Sequence, residues 1–161
     1  MATTYTPIAT QTLGSASASV TFSSISGTYT DLILIISGTN TAGGENLLLQ
    51  FNGDTGSNYS RTQIAGNSST ALSYKAVNVT EARIGQVQTT LSTCINHIMN
   101  YSNTTTYKTL ISRDGNSSVL TQETINLWRS TSAITSILVY QSSSANFLTG
   151  STFTLYGVKN A

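Results

Sequence analysis

The chain has 161 residues, of which 39% are hydrophobic and only 8% are charged, and its formal net charge is +1. A chain of this length can bury one substantial core, and its apolar fraction is too high and its net charge too low for a disordered protein. We therefore expect residues 1–161 to form a single folded domain whose surface carries hydroxyl and amide groups in place of the usual charges.

The charge balance argues against nucleic acid and membranes as partners. Seven Lys and Arg residues stand against six Asp and Glu residues, so no basic field is available to attract phosphates or an anionic bilayer. No run approaches the roughly 18 apolar residues of a membrane span, and no secretory signal is visible at the N-terminus. Cys94 is the only cysteine, which rules out an intrachain disulfide and predicts a buried structural thiol.

The first third of the chain has the pattern of short strands separated by turns. Residues 1–12 predict an edge strand or an extended arm, because Pro7 would remove a ladder hydrogen bond from a central strand. Residues 31–36 (DLILII) form the most apolar run, and its continuous hydrophobicity predicts a strand covered on both faces, by the core and by a neighbouring subunit or loop. Residues 46–51 and 58–64 predict a pair of strands joined by the turn NGDTGS.

The middle of the chain has weaker patterns. The apolar residues of segment 74–87 are irregularly spaced, and a short helix at 80–84 is an alternative to a strand there. Residues 89–101 fit a helix by their apolar spacing, but their threonine content and the segment that follows favour a strand. Residues 104–113 and 119–129 predict two strands joined by a hairpin turn.

The C-terminal block, residues 127–159, is rich in β-branched and aromatic residues and contains the only tryptophan, Trp128. Strand-like segments at 133–140 and 149–158 are separated by a polar turn. We interpret the block as a β-hairpin that closes an earlier sheet, because an isolated hairpin is barely stable in water. About eight to ten short strands at roughly 8–12-residue intervals predict an all-β fold, an antiparallel β-sandwich or jelly roll.

The sequence offers little catalytic chemistry. His97 is the only histidine and lies mid-strand, and the chain contains no G-x-S-x-G nucleophile motif. We therefore expect His97 to be a sheet residue whose hydrogen bonds are satisfied, and not a catalytic base. One Cys and one His cannot form a structural zinc site, and the six scattered carboxylates do not predict a glycosidase pair. Residues 52–58 resemble a calcium loop but lack its distal glutamate, and the same residue types suit a tight turn. We therefore predict no enzyme, no catalytic residue, no metal and no cofactor.

Aromatic side chains are the more informative candidates for a binding site. Rings on a surface can form a platform for sugars or anchor a subunit interface, although packing in a core is their commoner use. The candidate interface or glycan-contact aromatics are Tyr29, Tyr59, Tyr101, Tyr107, Trp128 and Tyr140.

Three passages of the chain have distinctive strand and turn patterns. They are TYTPIATQTLGSASASVTFSSISGTYTDLILI at the start, LLLQFNGDTGSNYS in the middle, and LWRSTSAITSILVY with FLTGSTFTLYGVK at the end. These passages resemble a module of virion proteins from tailed bacteriophages, particularly those that infect cyanobacteria and marine bacteria. The resemblance covers nearly the whole chain and is poorest over residues 65–91. It implies a β-sandwich, typically trimeric, used as a capsid cement protein or as the host-facing tip of a tail fibre or tailspike.

Of these two uses, we expect a trimeric cement (decoration) protein on the outer capsid surface of the virion, folded in the host cytoplasm before assembly. This expectation rests on the length of the chain, which leaves no room for a fibre shaft. The partners would be further copies of the chain and the major capsid protein, and many bound copies would stabilise the head. The alternative is a tip module that binds a host receptor or a host surface glycan.

Overall fold

The computed structural model describes residues 4–116 and 120–159, and every regular element in these two ranges is a β-strand. The prediction of an antiparallel all-β sandwich is confirmed, with twelve described strands in place of the predicted eight to ten. No helix that could cross a membrane occurs in the described residues. The strands are β1 Tyr5–Thr12, β2 Ser19–Phe22, β3 Asp31–Gly38, β4 Glu45–Phe51, β5 Tyr59–Gly66, β6 Ala71–Val79, β7 Ala82–Val87, β8 Ser92–Ile98, β9 Lys108–Gly115, β10 Thr121–Trp128, β11 Ile137–Gln141 and β12 Thr152–Val158.

The strands form two antiparallel sheets of unequal width. The large sheet has the order β1–β12–β3–β8–β9–β10–β5–β6, and the small sheet has the order β2–β11–β4–β7. Strand β1, which contains Pro7, lies at one edge of the large sheet, and β6 lies at the other. The large sheet therefore extends beyond the area that four strands can cover.

The apolar run in β3 lies near the middle of the large sheet, between β12 and β8. Successive side chains of a strand point to opposite faces, so Leu32, Leu34 and Ile36 are buried in the core while Ile33 and Ile35 point outward. Within this chain only the inner face of the run is covered. Each fully buried aliphatic or aromatic side chain contributes about 1.5–3 kcal/mol, which makes this inner layer the main source of stability.

The C-terminal block is not a hairpin, and that interpretation is wrong. Strand β10 lies between β9 and β5, β11 lies between β2 and β4, and β12 lies between β1 and β3. Strands β11 and β12 thus belong to different sheets, and residues 142–151 carry the chain from one to the other. Strand-forming residues predict strands, but the partner of each strand depends on contacts distant in sequence.

The NGDTGS turn likewise does not close a hairpin. Strand β4 pairs with β11 and β7, whereas β5 pairs with β10 and β6. The turn connects the two sheets, and Asn52 and Gly53 adopt positive φ angles of 54° and 67° within it. Asparagine and glycine tolerate this left-handed conformation better than other residues, which is why the sequence signals a turn but not its topology.

The helix alternative at 80–84 and the strand predictions for residues 89–129 have different outcomes. Thr80 and Glu81 connect β6 to β7 and no helix forms at 80–84, because Ala82 and Ile84 are buried in a strand of the small sheet. The predicted hairpin of residues 104–113 and 119–129 is confirmed, since β9 pairs with β10, and residues 89–101 contain the strand β8, as favoured over a helix. Val119, where the second strand of the last pair was predicted to begin, lies outside the described residues.

Side chains of the large sheet bind the free edge of β7 and so connect the two sheets. The Asn126 side chain accepts a hydrogen bond from the Arg83 N–H at 3.0 Å and donates one to the Arg83 carbonyl at 2.9 Å. The Cys94 thiol donates to the Ile84 carbonyl at 3.1 Å. Cys94 is the buried thiol that its sequence context predicts, and burial raises its pKa to about 12.

Candidate functional site

Three of the six candidate aromatics lie in the core. Tyr59, Tyr101 and Trp128 are buried, and the rings of Tyr59 and Trp128 stack with centroids 6.3 Å apart. Phe51 completes the cluster, 5.3 Å from Trp128. The Tyr101 hydroxyl donates to the Ser26 carbonyl. These three rings pack in the hydrophobic core. In this fold none of them presents a face to a glycan or a subunit.

The other three candidates are accessible but lie on different elements. Tyr107 is 53% exposed in the β8–β9 connection, and Tyr140 is half-buried on β11. Tyr29 is half-buried in the β2–β3 connection, with the Lys159 ammonium 5.7 Å from its ring centroid. No ring contact joins these three tyrosines within the described residues. The structure therefore does not assemble them into one platform.

Asp54, in the segment with a calcium-loop pattern, is occupied by structural hydrogen bonds. Its carboxylate accepts from Trp128 Nε1 at 2.7 Å, from Asn58 Nδ2 at 2.9 Å and from the Gly56 N–H at 2.8 Å. Burial raises the pKa of Asp54, but these hydrogen bonds outweigh it and hold the pKa below its ordinary value. In the part of the chain that the structure describes, no three His, Cys, Asp or Glu residues are grouped as a metal site.

His97 is paired on the outer face of β8. Its Nε2 lies 2.8 Å from Asp31 Oδ2, and Asp31 Oδ1 accepts a hydrogen bond from the Asn100 N–H at 2.8 Å. This is the satisfied sheet histidine that the sequence predicts. The carboxylate orients the ring along the sheet, beside the outward side chain of Ile33.

The outer face of the large sheet carries an unusual number of aliphatic side chains. An antiparallel sheet with one solvated face normally places polar residues there. Here Ile35 lies opposite Ile95, and Ile111 lies opposite Ile125. We call this surface the isoleucine face, and its members are Ile33, Ile35, Ile64, Ile95, Ile111, Ile125 and Leu127.

Several members of the isoleucine face are well exposed. Ile64 is 61% exposed, Ile125 is 47% exposed and Ile95 is 42% exposed. Single apolar side chains on a surface are ordinary, but a contiguous group on a soluble domain indicates a contact surface. Two charged pairs lie on this side of the sheet, since Arg113 lies across from Glu123 and His97 pairs with Asp31, while Lys75 lies across from Thr62.

Two open depressions lie beside these isoleucines, with volumes of about 790 Å³ and about 320 Å³. Ile64, Arg113 and Glu123 are among the residues that line the larger depression, and Val77 and Ile125 are among those that line the smaller one. Both lie where β5, β6 and β10 run side by side. The surface is therefore contoured enough to fit side chains of a partner.

A buried polar chain runs beneath the same strands, between the two sheets. Gln63 Nε2 donates to Gln122 Oε1 at 2.5 Å, and Gln122 Nε2 donates to Asp114 Oδ2 at 2.8 Å. The Gln86 N–H of β7 donates to the same oxygen at 3.0 Å. Burial raises the pKa of Asp114 from its ordinary value of 3.8 to about 6, against the opposing effect of these hydrogen bonds and of Arg83.

We expect Asp114 to make the fold less stable as pH rises through about 6. Because its pKa is higher in the folded state, the folded protein binds a proton that the unfolded chain has lost, and this contribution is complete below pH 3.8 and lost above about pH 6. Two pKa units correspond to at most about 3 kcal/mol. Asp114→Asn, which keeps an acceptor for Gln86 and Gln122 without a charge, should remove this part of the pH dependence.

The measurement is urea unfolding of both proteins at about pH 4 and about pH 7, followed by the fluorescence of Trp128. All other titratable groups are common to both proteins, so the difference between the two pH dependences isolates Asp114. An unchanged pH dependence in the variant would contradict the prediction.

The isoleucine face was not among the residues that the sequence singled out. The available signal was the presence of isoleucine at alternate positions of β3 and at outward positions of β8, β9 and β10, which becomes a surface only when those strands are neighbours. Among known proteins, no family and no curated protein matches the sequence.

Proposed function

We propose that this chain is a structural virion protein of a tailed bacteriophage, a homotrimeric capsid cement protein that binds the outer surface of the major capsid lattice. The resemblance of its strand and turn passages to virion proteins supports the phage origin. The observation that carries the proposed assembly is the isoleucine face, a group of seven aliphatic side chains on the outer side of the large sheet. An apolar face of this kind is the expected contact between permanently associated copies.

The size of the large sheet fits such a contact. Eight strands spaced by about 4.8 Å, each about 26 Å long, give a face of roughly 900 Å². A standard stable interface buries about 800 Å² on each partner, so the whole face is the size of one such contact, which the two neighbours in a trimer would share. Arg113 and Glu123 lie across from each other and His97 pairs with Asp31, so much of the charge beside the face is already balanced.

Three copies close around a common axis when each turns its face inward and packs one part of it against each neighbour. A trimer of this kind would present three identical outer surfaces to a capsid with local three-fold symmetry. Simultaneous binding of three copies raises the apparent affinity, and ligands that bind only the assembled shell stabilise it by mass action.

We expect Ile125→Lys to dissociate the assembly, because a lysine at the centre of the face would bring several ammonium groups together in an apolar contact. Light scattering coupled to gel filtration should show a trimer for the unchanged protein and a monomer for the variant. Leu91→Lys is the matched control, since Leu91 is 67% exposed in the β7–β8 connection and is not a member of the isoleucine face, and its replacement should leave the trimer intact. A monomeric unchanged protein, or a trimeric Ile125→Lys variant, would contradict the assignment.

The capsid role is tested by the position of the protein on the particle. Density for this protein at three-fold positions across the head, together with weaker heads when it is omitted, is the expected result. Density confined to the tail would overturn the cement role.

The second candidate function is the receptor- or glycan-binding tip of a tail fibre or tailspike. The exposed ring of Tyr107 favours it, because an accessible aromatic face can stack on a sugar. Binding to a glycan array that disappears in Tyr107→Ala, combined with density at the tail, would establish this function in place of the first.

A further inference from the structure

The sandwich is open along one side, where the large sheet is wider than the small one. The last strand of the small sheet, β7, packs on β8, β9, β10 and β5. The inward side chains of β6 lie beyond this cover, and Tyr74, which pairs in register with the inward-facing Gln63, is 51% exposed. The inner side of β5 and β6 beside the edge of β7 thus has no covering strand in the described residues, and we call this uncovered strip the cleft.

Two arginines from different sheets lie close together beside the edge of β7, since the charge of Arg61 contributes to the pKa of Arg83. Arg61 of β5 lies directly across from Asn126 of β10, on the inward face. The Asn126 side chain in turn holds the backbone of Arg83 through the two hydrogen bonds described above. Arg61 and Arg83 therefore flank the same asparagine, and both side chains are half-buried.

Each guanidinium has one buried N–H donor without a hydrogen-bond partner in the described residues. Arg61 Nη1 and Arg83 Nε are buried without a hydrogen-bond partner, and so is the side-chain oxygen of Gln63, two residues along β5 from Arg61. Within residues 4–116 and 120–159, the recorded ion pair is that of His97 with Asp31, and no carboxylate lies at ion-pair distance from either arginine.

Two partly buried guanidinium charges without a counter-charge reduce the stability of the folded protein. Burial lowers the pKa of Arg83, the charge of Arg61 lowers it further, and Asp114 and Tyr74 act in the opposite direction. Two like charges that share a partly desolvated cleft repel each other, and an unpaired buried charge is strongly destabilising. An anion placed between them would remove both penalties.

We propose that Arg61 and Arg83 form a binding site for an oxyanion, a carboxylate or phosphate group that enters over the uncovered inner face of β6. Planar guanidinium groups donate paired hydrogen bonds that match the geometry of carboxylate and phosphate oxygens. The Gln63 oxygen can accept a hydrogen bond from a hydroxyl of the same ligand, and the Tyr74 ring borders the entrance. This site does not depend on the proposed virion function or on the isoleucine face, which lies on the opposite side of the sheet.

The test is calorimetric titration of the full chain with sodium phosphate, sodium acetate and sodium glucuronate at constant ionic strength, with sodium chloride as the reference. We expect saturable binding of at least one oxyanion that chloride does not reproduce. Arg61→Met and Arg83→Met should each weaken it about tenfold or more, because each removes charge-assisted hydrogen bonds. Arg113→Met, the same change on the isoleucine face, should leave the affinity unchanged.

The outcomes separate the sources of the oxyanion. If glucuronate binds more tightly than acetate, Gln63 and Tyr74 contact the sugar. If the two affinities are equal, the site recognises the carboxylate alone. Either result supports the site. Arg61→Lys keeps the positive charge but loses the paired N–H donors of the guanidinium. If Arg83→Met does not fold, an affinity of Arg61→Lys between those of the unchanged protein and Arg61→Met supports paired hydrogen bonding to the oxyanion. Absence of saturable binding, or an equal loss in Arg113→Met, would overturn the proposal.

Discussion

Trp128→Ala is expected to destabilise the folded protein by about 3–5 kcal/mol, the usual cost of removing a large buried aromatic side chain. The indole fills the space between Phe51 and Tyr59, whose ring centroids lie 5.3 Å and 6.3 Å from it. Its Nε1–H is also the 2.7 Å donor to Asp54, in the turn that connects the two sheets. The substitution therefore opens a cavity and leaves a partly buried carboxylate with one donor fewer.

Trp128→Phe separates the two effects. The phenyl ring retains most of the packing and loses only the hydrogen bond to Asp54, so a loss of about 1.5–3 kcal/mol is expected for this charged acceptor. Unfolding must be followed by circular dichroism, because both variants lack the only tryptophan. Tyr107→Ala, at an exposed position, should change stability by less than about 0.5 kcal/mol. A Trp128→Ala effect no larger than that control would contradict the role of Trp128 as the centre of the aromatic cluster.

Asn126→Ala is expected to cost about 2–4 kcal/mol, because it leaves both the N–H and the carbonyl of Arg83 without their partner. These two groups lie on the edge of β7 that faces the large sheet, where unsatisfied backbone groups are costly. The loss should appear in urea unfolding followed by Trp128 fluorescence. It should also appear locally, as faster hydrogen exchange of the Arg83 amide.

Asn67→Ala provides the matched control for Asn126. The Asn67 side chain accepts hydrogen bonds from the Ser69 and Thr70 N–H groups within an exposed turn, so its loss is local. A cost below about 1 kcal/mol is expected there. Equal losses in the two variants would show that the Asn126 side chain does not connect the sheets.

Alternation in the sequence predicted the strands that have one buried face. In β9, for example, Lys108, Leu110, Ser112 and Asp114 all point inward, while Thr109, Ile111 and Arg113 point outward. The alternation with a period of two is visible in the sequence of β9. Three of its four inward residues are polar, however, so hydrophobicity alone does not identify its buried face. Only the tertiary structure supplies their partners: Asp114 accepts from the Gln86 N–H of β7, and Lys108 donates to the Thr106 and Thr131 carbonyls.

The candidate site was harder to predict than the fold. Aromatic residue type selected Tyr59, Tyr101 and Trp128, yet the inter-sheet turn at Asp54 and the core place these rings inside. The isoleucine face and the arginine pair use residues that are unremarkable one by one. Arg61 and Arg83 lie 22 positions apart, on different sheets, and become neighbours only through Asn126.

The sequence by itself determined the fold class, the positions of most strands, the buried thiol and the satisfied histidine. Each of these depends on alternation, turn chemistry or the scarcity of a residue type, which are local properties. The tertiary structure alone decided which strands are partners, that β11 and β12 lie in different sheets, and that Arg61 and Arg83 share one cleft. Those outcomes depend on pairings between distant segments, because a strand's side-chain pattern states which face is buried and not which neighbour buries it.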